Sequence, residues 1–144
     1  MDKKKLKKKY DKDGLIAKSG KIDELILNQA IENFTTDYNY EKSLDIKDFD
    51  IFFAKGLSLE NGAATITNFT ATLIANGMKH AHKIGQTVMY KWLVCGGGRK
   101  NKYLLESIKN NFDQISIEPI DQYEIDGDYV ESQAFAYLAI RSFL

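Results

Sequence analysis

Cysteine and proline each occur once in this sequence, and histidine only twice. The lone Cys95 can form no intrachain disulfide, so nothing in the chain requires an oxidising compartment. No apolar run approaches the roughly 20 residues needed to span a bilayer. The lysine-rich start has no apolar h-region behind it, because Asp11, Asp13, Lys18 and Lys21 interrupt every window, so a signal peptide is not expected. Net charge is missing too: 20 basic and 20 acidic side chains cancel, and no global field points to nucleic acid or to membrane. His80 and His82 have no cysteine or acidic cluster beside them, so they are read as exposed residues just past a helix, with no metal site. These absences leave a soluble, cytoplasmic protein as the expectation.

The 144 residues suit one domain, and 44% apolar with 28% charged residues is a folded mixture rather than a disordered one. The charge is unevenly spread. Residues 1–12 hold seven lysines against Asp2 and Asp11. No arginine is interleaved with them for base contact, while Leu6 and Tyr10 at i, i+4 give a short helix with one apolar edge. The segment is therefore read as a solvated helix face in preference to a nucleic-acid arm.

Asp13-Gly14 and Ser19-Gly20 are turn signals. From Lys21 to Phe34, Ile22, Leu25, Ile26, Ala30 and Phe34 keep a helical period. Thr35 to Asp50 is polar and aperiodic, a loop of a length that suits a binding or interface role. Asp48 to Phe53 fits either an edge segment or a helical turn. Asn61-Gly62 introduces a second helix, whose Ile66, Phe69, Leu73, Ile74 and Gly77 share one face. Its threonines lower helix propensity, so it needs tertiary packing to form. Beyond it the pattern alternates: a strand over 87–95, a helix over 101–111 with Leu104, Leu105 and Ile108 inward, and a strand over 114–120. An Asp126-Gly127-Asp128 turn follows, then a last helix whose apolar pattern Phe135, Leu138 and Ala139, then Ser142 and Phe143, continue to Leu144. Asp128 and Glu131 are spaced as a capping box for that helix. Strand–helix–strand–helix order predicts parallel pairing and an α/β layer structure. The helical pattern runs to Leu144 without a cap and Met1-Asp2 leads straight into a helix, so both ends read as cut.

One junction carries most of the chemistry. Trp92-Leu93-Val94-Cys95 stops at Gly96-Gly97-Gly98, and Arg99-Lys100-Asn101 then open a helix. Three residues without Cβ let a ligand lie against backbone, and a helix start supplies free N–H groups. The pattern is neither the dinucleotide fingerprint G-x-G-x-x-G nor the Walker loop G-x-x-x-x-G-K-[ST]. Two readings of the glycines stand: backbone approach by a nucleotide, or tight turn packing with no ligand. Asn101 doubles as helix N-cap, Lys100 reads as solvated, and Cys95 reads as a small core residue at a strand end.

The run Val94-Cys95-Gly96-Gly97-Gly98-Arg99-Lys100-Asn101-Lys102-Tyr103-Leu104 is followed by Gly127-Asp128-Tyr129-Val130-Glu131-Ser132-Gln133-Ala134-Phe135-Ala136-Tyr137-Leu138-Ala139, with Gly62 to Ala71 upstream. Together they resemble the C-terminal half of anhydro-N-acetylmuramic acid kinase, in the sugar kinase/Hsp70/actin superfamily. The resemblance implies a partial ribonuclease-H-like (actin-like ATPase) half-domain spanning residues 1–144, truncated at both ends. It implies ATP with Mg²⁺ as cofactors, and a complete enzyme that opens 1,6-anhydro-N-acetylmuramic acid with water and phosphorylates O6 for peptidoglycan recycling, as a homodimer. Gly96, Gly97, Gly98, Arg99 and Asn101 would lie by the adenosine, and Asp128 and Glu131 near the sugar, where capping is their other reading. The family's phosphate loop of the G-[MT]-S-x-D-G type and its D-T-G-P-G-N segment have no match here, and no residue matches the catalytic aspartate. The chain alone is accordingly expected to be inactive, with adenine nucleotide and the missing N-terminal lobe as partners. The alternative is a non-catalytic module that self-associates or complements another fragment.

Overall fold

The alternation read after residue 90 folds as a parallel strand–helix–strand unit, laid against one long helix. The computed structural model describes residues 10–37, 48–85 and 91–142. Residues 1–9 of the lysine segment, most of the 35–50 loop and the start of the 87–95 strand fall outside those residues. Seven elements follow in order: α1 (Leu15–Ser19), α2 (Glu24–Asp37), α3 (Leu59–Gly85), β1 (Lys91–Val94), α4 (Lys102–Lys109), β2 (Ser116–Pro119) and α5 (Val130–Arg141). The two strands pair in parallel, Trp92 opposite Ile117 and Val94 opposite Pro119. The α/β class holds on this small scale. None of the described helices is long and apolar enough to cross a membrane.

α1 is too short to show a period in the sequence. The Asp13-Gly14 turn, with φ +58° and +73°, delivers the chain into it. The carboxylate of Asp11 then accepts from the amides of Ile16 (2.8 Å) and Ala17 (3.0 Å), satisfying donors that the first turn leaves free. α2 runs three residues further than its apolar period, taking Thr35, Thr36 and Asp37 out of the expected loop. The undecided stretch before residue 54 is a 3-10 turn over Phe52–Ala54.

α3 is the spine, and it starts before Asn61-Gly62 rather than after it. It packs on two sides instead of one. Phe69 and Leu73 join Leu27, Ala30, Phe34 and Phe53 in a first core, where Phe69 meets Phe34 edge-on and Phe53 at 5.0 Å. Ala64, Ala71 and Ala75 are fully buried on a face with Asn68, whose amide donates to the hydroxyl of Tyr103 in α4 (3.2 Å). Small residues at that spacing bring helix axes close. Ile74, read as core, is 40% exposed. Thr65 shows how the threonines fit: fully buried, it donates to the Asn61 carbonyl and accepts from the Asp23 amide. His80 lies inside α3 and is half-buried, so its reading as an exposed residue past a helix is corrected; His82 also falls within α3.

A second core joins sheet and helices. Ala71, Ile108 and Ile117 are buried, with Trp92, Val94, Leu104, Leu105 and Ile115 packed around them, as the inward residues of α4 predict. The opposite sheet face carries Lys91, Leu93, Ser116 and Glu118, and Leu93 is 45% exposed. There Glu118 accepts from Ser116 Oγ, Tyr123 OH and Lys91. The Tyr123 hydroxyl is the leading cause that holds its carboxyl down at about 2.

Candidate functional site: the glycine corner

β1 ends at Val94, and the chain leaves the sheet through Cys95 and Gly96. Cys95 is exposed, which corrects its reading as a core residue: the strand has already ended there. Gly96 has φ +73° and ψ 178°, a backbone region closed to side chains by steric clash. Its glycine is therefore a conformational requirement. Gly97 to Lys100 form one 3-10 turn, closed by the Arg99 amide to the Gly96 carbonyl (3.3 Å) and the Asn101 amide to the Gly98 carbonyl (3.0 Å). Asn101 caps α4 as expected, its Oδ1 accepting from the Leu104 amide at 3.0 Å.

Whether packing explains the glycines can be read from the space around them. A Cβ added at Gly96 or Gly97 would meet nothing within 4 Å, and one at Gly98 only the edge of Leu104 at 3.8 Å. Gly97 thus has neither a crowded environment nor a left-handed backbone to account for its missing side chain. Gly127 is the opposite case, since a Cβ there would fall 2.5 to 2.9 Å from Nε, Cζ and Cδ of Arg99. Gly14 serves α4 in the same way, because a Cβ there would collide with the side chains of Asn101 and Tyr103.

Arg99 is turned inward, with its side chain 4% exposed. Nε and Nη2 donate to the two oxygens of Asp121 (2.6 and 2.8 Å), a bidentate fork. Nη1 donates to Asp128 Oδ1 (2.6 Å) and to the Gly96 carbonyl (2.9 Å). Lys100 takes the other Asp128 oxygen at 2.6 Å, so it is exposed yet paired. The Arg99 guanidinium, with Lys100 behind it, holds the Asp128 carboxyl down at about 2, and it lowers Asp121 well below the ordinary carboxylate range. The partners hold Arg99 ionised at any accessible pH. Main chain joins the two turns directly: the Gly96 amide donates to the Gly127 carbonyl at 2.8 Å.

The capping box is not formed. The residue before α5 is Tyr129, with no side-chain cap, and the Asp128 amide donates to Asp126 Oδ1 rather than to Glu131. Two cations outcompete the local cap for the Asp128 carboxylate. Glu131 sits exposed in the first turn of α5, its carboxylate with no hydrogen bond to any described residue. So the structure joins Gly96, Arg99 and Asp128 in one cluster, places Asn101 at the head of α4, and leaves Glu131 outside the network. Sequence reasoning missed Asp121, Asp126 and Gly127. The strand register contains the signal for the first: Val94 lies opposite Pro119, so a carboxylate two residues past β2 arrives beside residues just past β1.

The comparisons with known proteins point one way. The family model described as anhydro-N-acetylmuramic acid kinase matches residues 1–143. Proteins of that name from Pelagibacter ubique, Rhizorhabdus wittichii and Rhodospirillum rubrum are 49%, 38% and 37% identical over 138, 133 and 131 residues. These alignments cover 94%, 92% and 91% of this chain, but only 37%, 35% and 34% of the relatives. The chain therefore spans about a third of the length of the curated relatives it matches.

Proposed function

The chain belongs to the anhydro-N-acetylmuramic acid kinase family, and from that membership we propose that it is the C-terminal, adenosine-facing part of a ribonuclease-H-like sugar kinase. The complete enzyme would use ATP to phosphorylate 1,6-anhydro-N-acetylmuramic acid as it opens it, in the cytoplasm, for peptidoglycan recycling. Gly96, Gly97 and Gly98 would offer bare backbone to the nucleotide, with Asn101 at the adjoining helix start. The observation that carries this reading is Gly97, which faces open space with no packing or backbone reason of its own to be glycine.

The charge at the corner favours the adenosine end of the nucleotide over the phosphates. Arg99 and Lys100 face three carboxylates, Asp121, Asp126 and Asp128, so the cluster carries an excess of negative charge that repels polyphosphate. The guanidinium that would otherwise attract phosphate is spent internally. Mg²⁺ fits the described residues no better: no group of three acidic, histidine or cysteine side chains among them could hold a metal ion. On this reading the described residues contribute binding and orientation of the nucleotide, and the phosphate and metal contacts come from outside them.

Titration of the chain with ADP, followed through backbone amide shifts, tests the reading. The amides of Gly96, Gly97, Gly98 and Asn101 are expected to move together, while those of Gly20 and Gly56 stay in place. Shifts elsewhere, or none at millimolar ADP, overturn it.

A second reading rests on α5, none of whose residues is buried. Phe135, Tyr137, Leu138 and Ile140 are each 58% exposed or more, a larger apolar surface than one helix ordinarily leaves in water. On this reading the chain is a module that pairs through α5 with a complementary part of the enzyme, or with itself. Sedimentation of the chain across concentrations separates the cases, since a monomer at all concentrations removes self-association.

A further inference from the structure

The ends of β1 and β2 lie side by side, and just past them two irregular turns face each other, Gly96–Gly98 and Asp126–Asp128. Each turn is closed within itself only by short-range main-chain hydrogen bonds, Arg99 to Gly96 and Asn101 to Gly98 in the first and Tyr129 to Asp126 in the second. One main-chain hydrogen bond joins them, from Gly96 to Gly127. Beyond it, Lys100 reaches one Asp128 oxygen from the surface, while Arg99 alone reaches Asp128, Asp121 and the Gly96 carbonyl together.

Resting on the nucleotide reading above, we propose that Arg99 is the positioning residue of that site: by bridging Asp121 and Asp128 while donating to the Gly96 carbonyl, it holds the glycine turn in the single backbone shape against which a nucleotide lies. Its geometry excludes a direct role with the ligand. Four N–H donors are committed within 2.9 Å, and the side chain is 4% exposed. It acts only through the backbone it grips.

The need for such a device follows from the glycines themselves. A run of three glycines has the largest conformational freedom of any backbone, and a site built on it would lose affinity to ordering on each binding event. Folding already fixes the turn if a rigid group holds it. A guanidinium suits this, because its planar fork fixes orientation as well as distance, whereas an ammonium fixes distance alone. Gly127 completes the fit, since any Cβ there would displace the fork.

The test compares the chain with its R99K, R99Q, D121N and D128N forms. Hydrogen exchange of the Gly96 amide is read against that of Ile108 in α4, and the ADP dissociation constant is measured alongside. The expected result is Gly96 exchange faster by about tenfold or more with Ile108 unchanged, since a local opening leaves the rest of the fold protected. ADP binding is expected to weaken by about tenfold in D121N and R99Q, the loss of a pre-ordered site. R99K should not restore either quantity, although it restores the charge. D128N, which alters a half-exposed carboxylate and leaves the Asp121 fork intact, provides a folded variant even if R99Q unfolds. Equal acceleration of both amides would show a general structural role and overturn the proposal. So would variants that bind ADP as the parent does, which leaves the nucleotide reading standing. Absence of ADP binding in the parent chain overturns both.

Discussion

The glycine corner, which reaches to Asp128, and α5 are separated by one residue of chain, Tyr129, and they are built on opposite plans. In the corner, polar groups are buried or paired almost without exception: Arg99 has four donors engaged, and Asp121 and Asp128 each accept from it. In α5 the apolar side chains are the ones without partners, with Phe135 at 65% and Ile140 at 67% exposed. A chain that satisfies its internal charges but leaves a helix of aromatic and aliphatic residues bare has finished one task and not the other. The corner is complete within this chain. The helix carries an apolar surface whose counterpart is not among the described residues.

The largest effect that sharpens this contrast is in the core beneath the corner. Ile117 and Ile108 are each 4% exposed, so Ile117→Ala or Ile108→Ala is expected to lower stability by about 2–5 kcal/mol in urea denaturation. Leu138→Ala, a comparable truncation in α5, anchors the other end of the scale below.

Glycine substitutions come next. Gly127→Ala forces a methyl into the Arg99 fork and is expected to lower stability by about 1–3 kcal/mol. Gly97→Ala adds the same methyl to open space and should leave stability within about 0.5 kcal/mol, while weakening ADP binding. Equal stability losses at the two positions would erase the distinction between a packing glycine and a ligand-facing one.

Acid is a gentler probe. Asp128 sits at about 2 when folded against an ordinary 3.8, so its contribution is complete above about pH 4 and disappears as pH falls through 2. Glu118, also held at about 2, titrates in the same window, so the corner's share is read as the difference between D128N and E118Q in stability against pH. D128N should be less sensitive to acid over that range than the parent chain. An unchanged profile would mean that the pairing of Asp128 with Arg99 and Lys100 contributes nothing.

The smallest effect belongs to α5. Leu138→Ala and Phe135→Ala are each expected to change stability by no more than about 0.5 kcal/mol, because both residues stay more than half exposed in the folded chain. Core-sized losses, measured at a concentration where the chain is monomeric, would mean that α5 is packed after all.

This contrast also marks what could be read from the sequence. The strand–helix–strand unit was legible because an apolar run, a glycine turn and the inward spacing of Leu104, Leu105 and Ile108 are local signals, and Asn101 sits where a cap must. Asp128 was misread for the converse reason. The spacing to Glu131 satisfied a local rule, but its carboxylate is claimed by Arg99, 29 residues away, and no local pattern records that pairing. α1 was missed because five residues are too few for a period, and its cap, Asp11, lies in a segment dominated by lysines. In α5 the period correctly identified a helix with apolar residues. Periodicity reports that a face is apolar and carries no information about what meets it, and in this chain Phe135 and Leu138 are exposed. Cys95 was assigned to the core by its place after an apolar run, although the strand had already ended one residue earlier.

That exposed thiol gives the most direct test of the central claim. Cys95 is the chain's only cysteine and precedes the glycine turn immediately, so alkylation reports on that corner alone. With ADP bound, the rate of modification by iodoacetamide is predicted to fall by about tenfold, as access to the thiolate is blocked. The protection should disappear in Gly97→Ala. A rate indifferent to saturating ADP would contradict the assignment of this turn to the nucleotide.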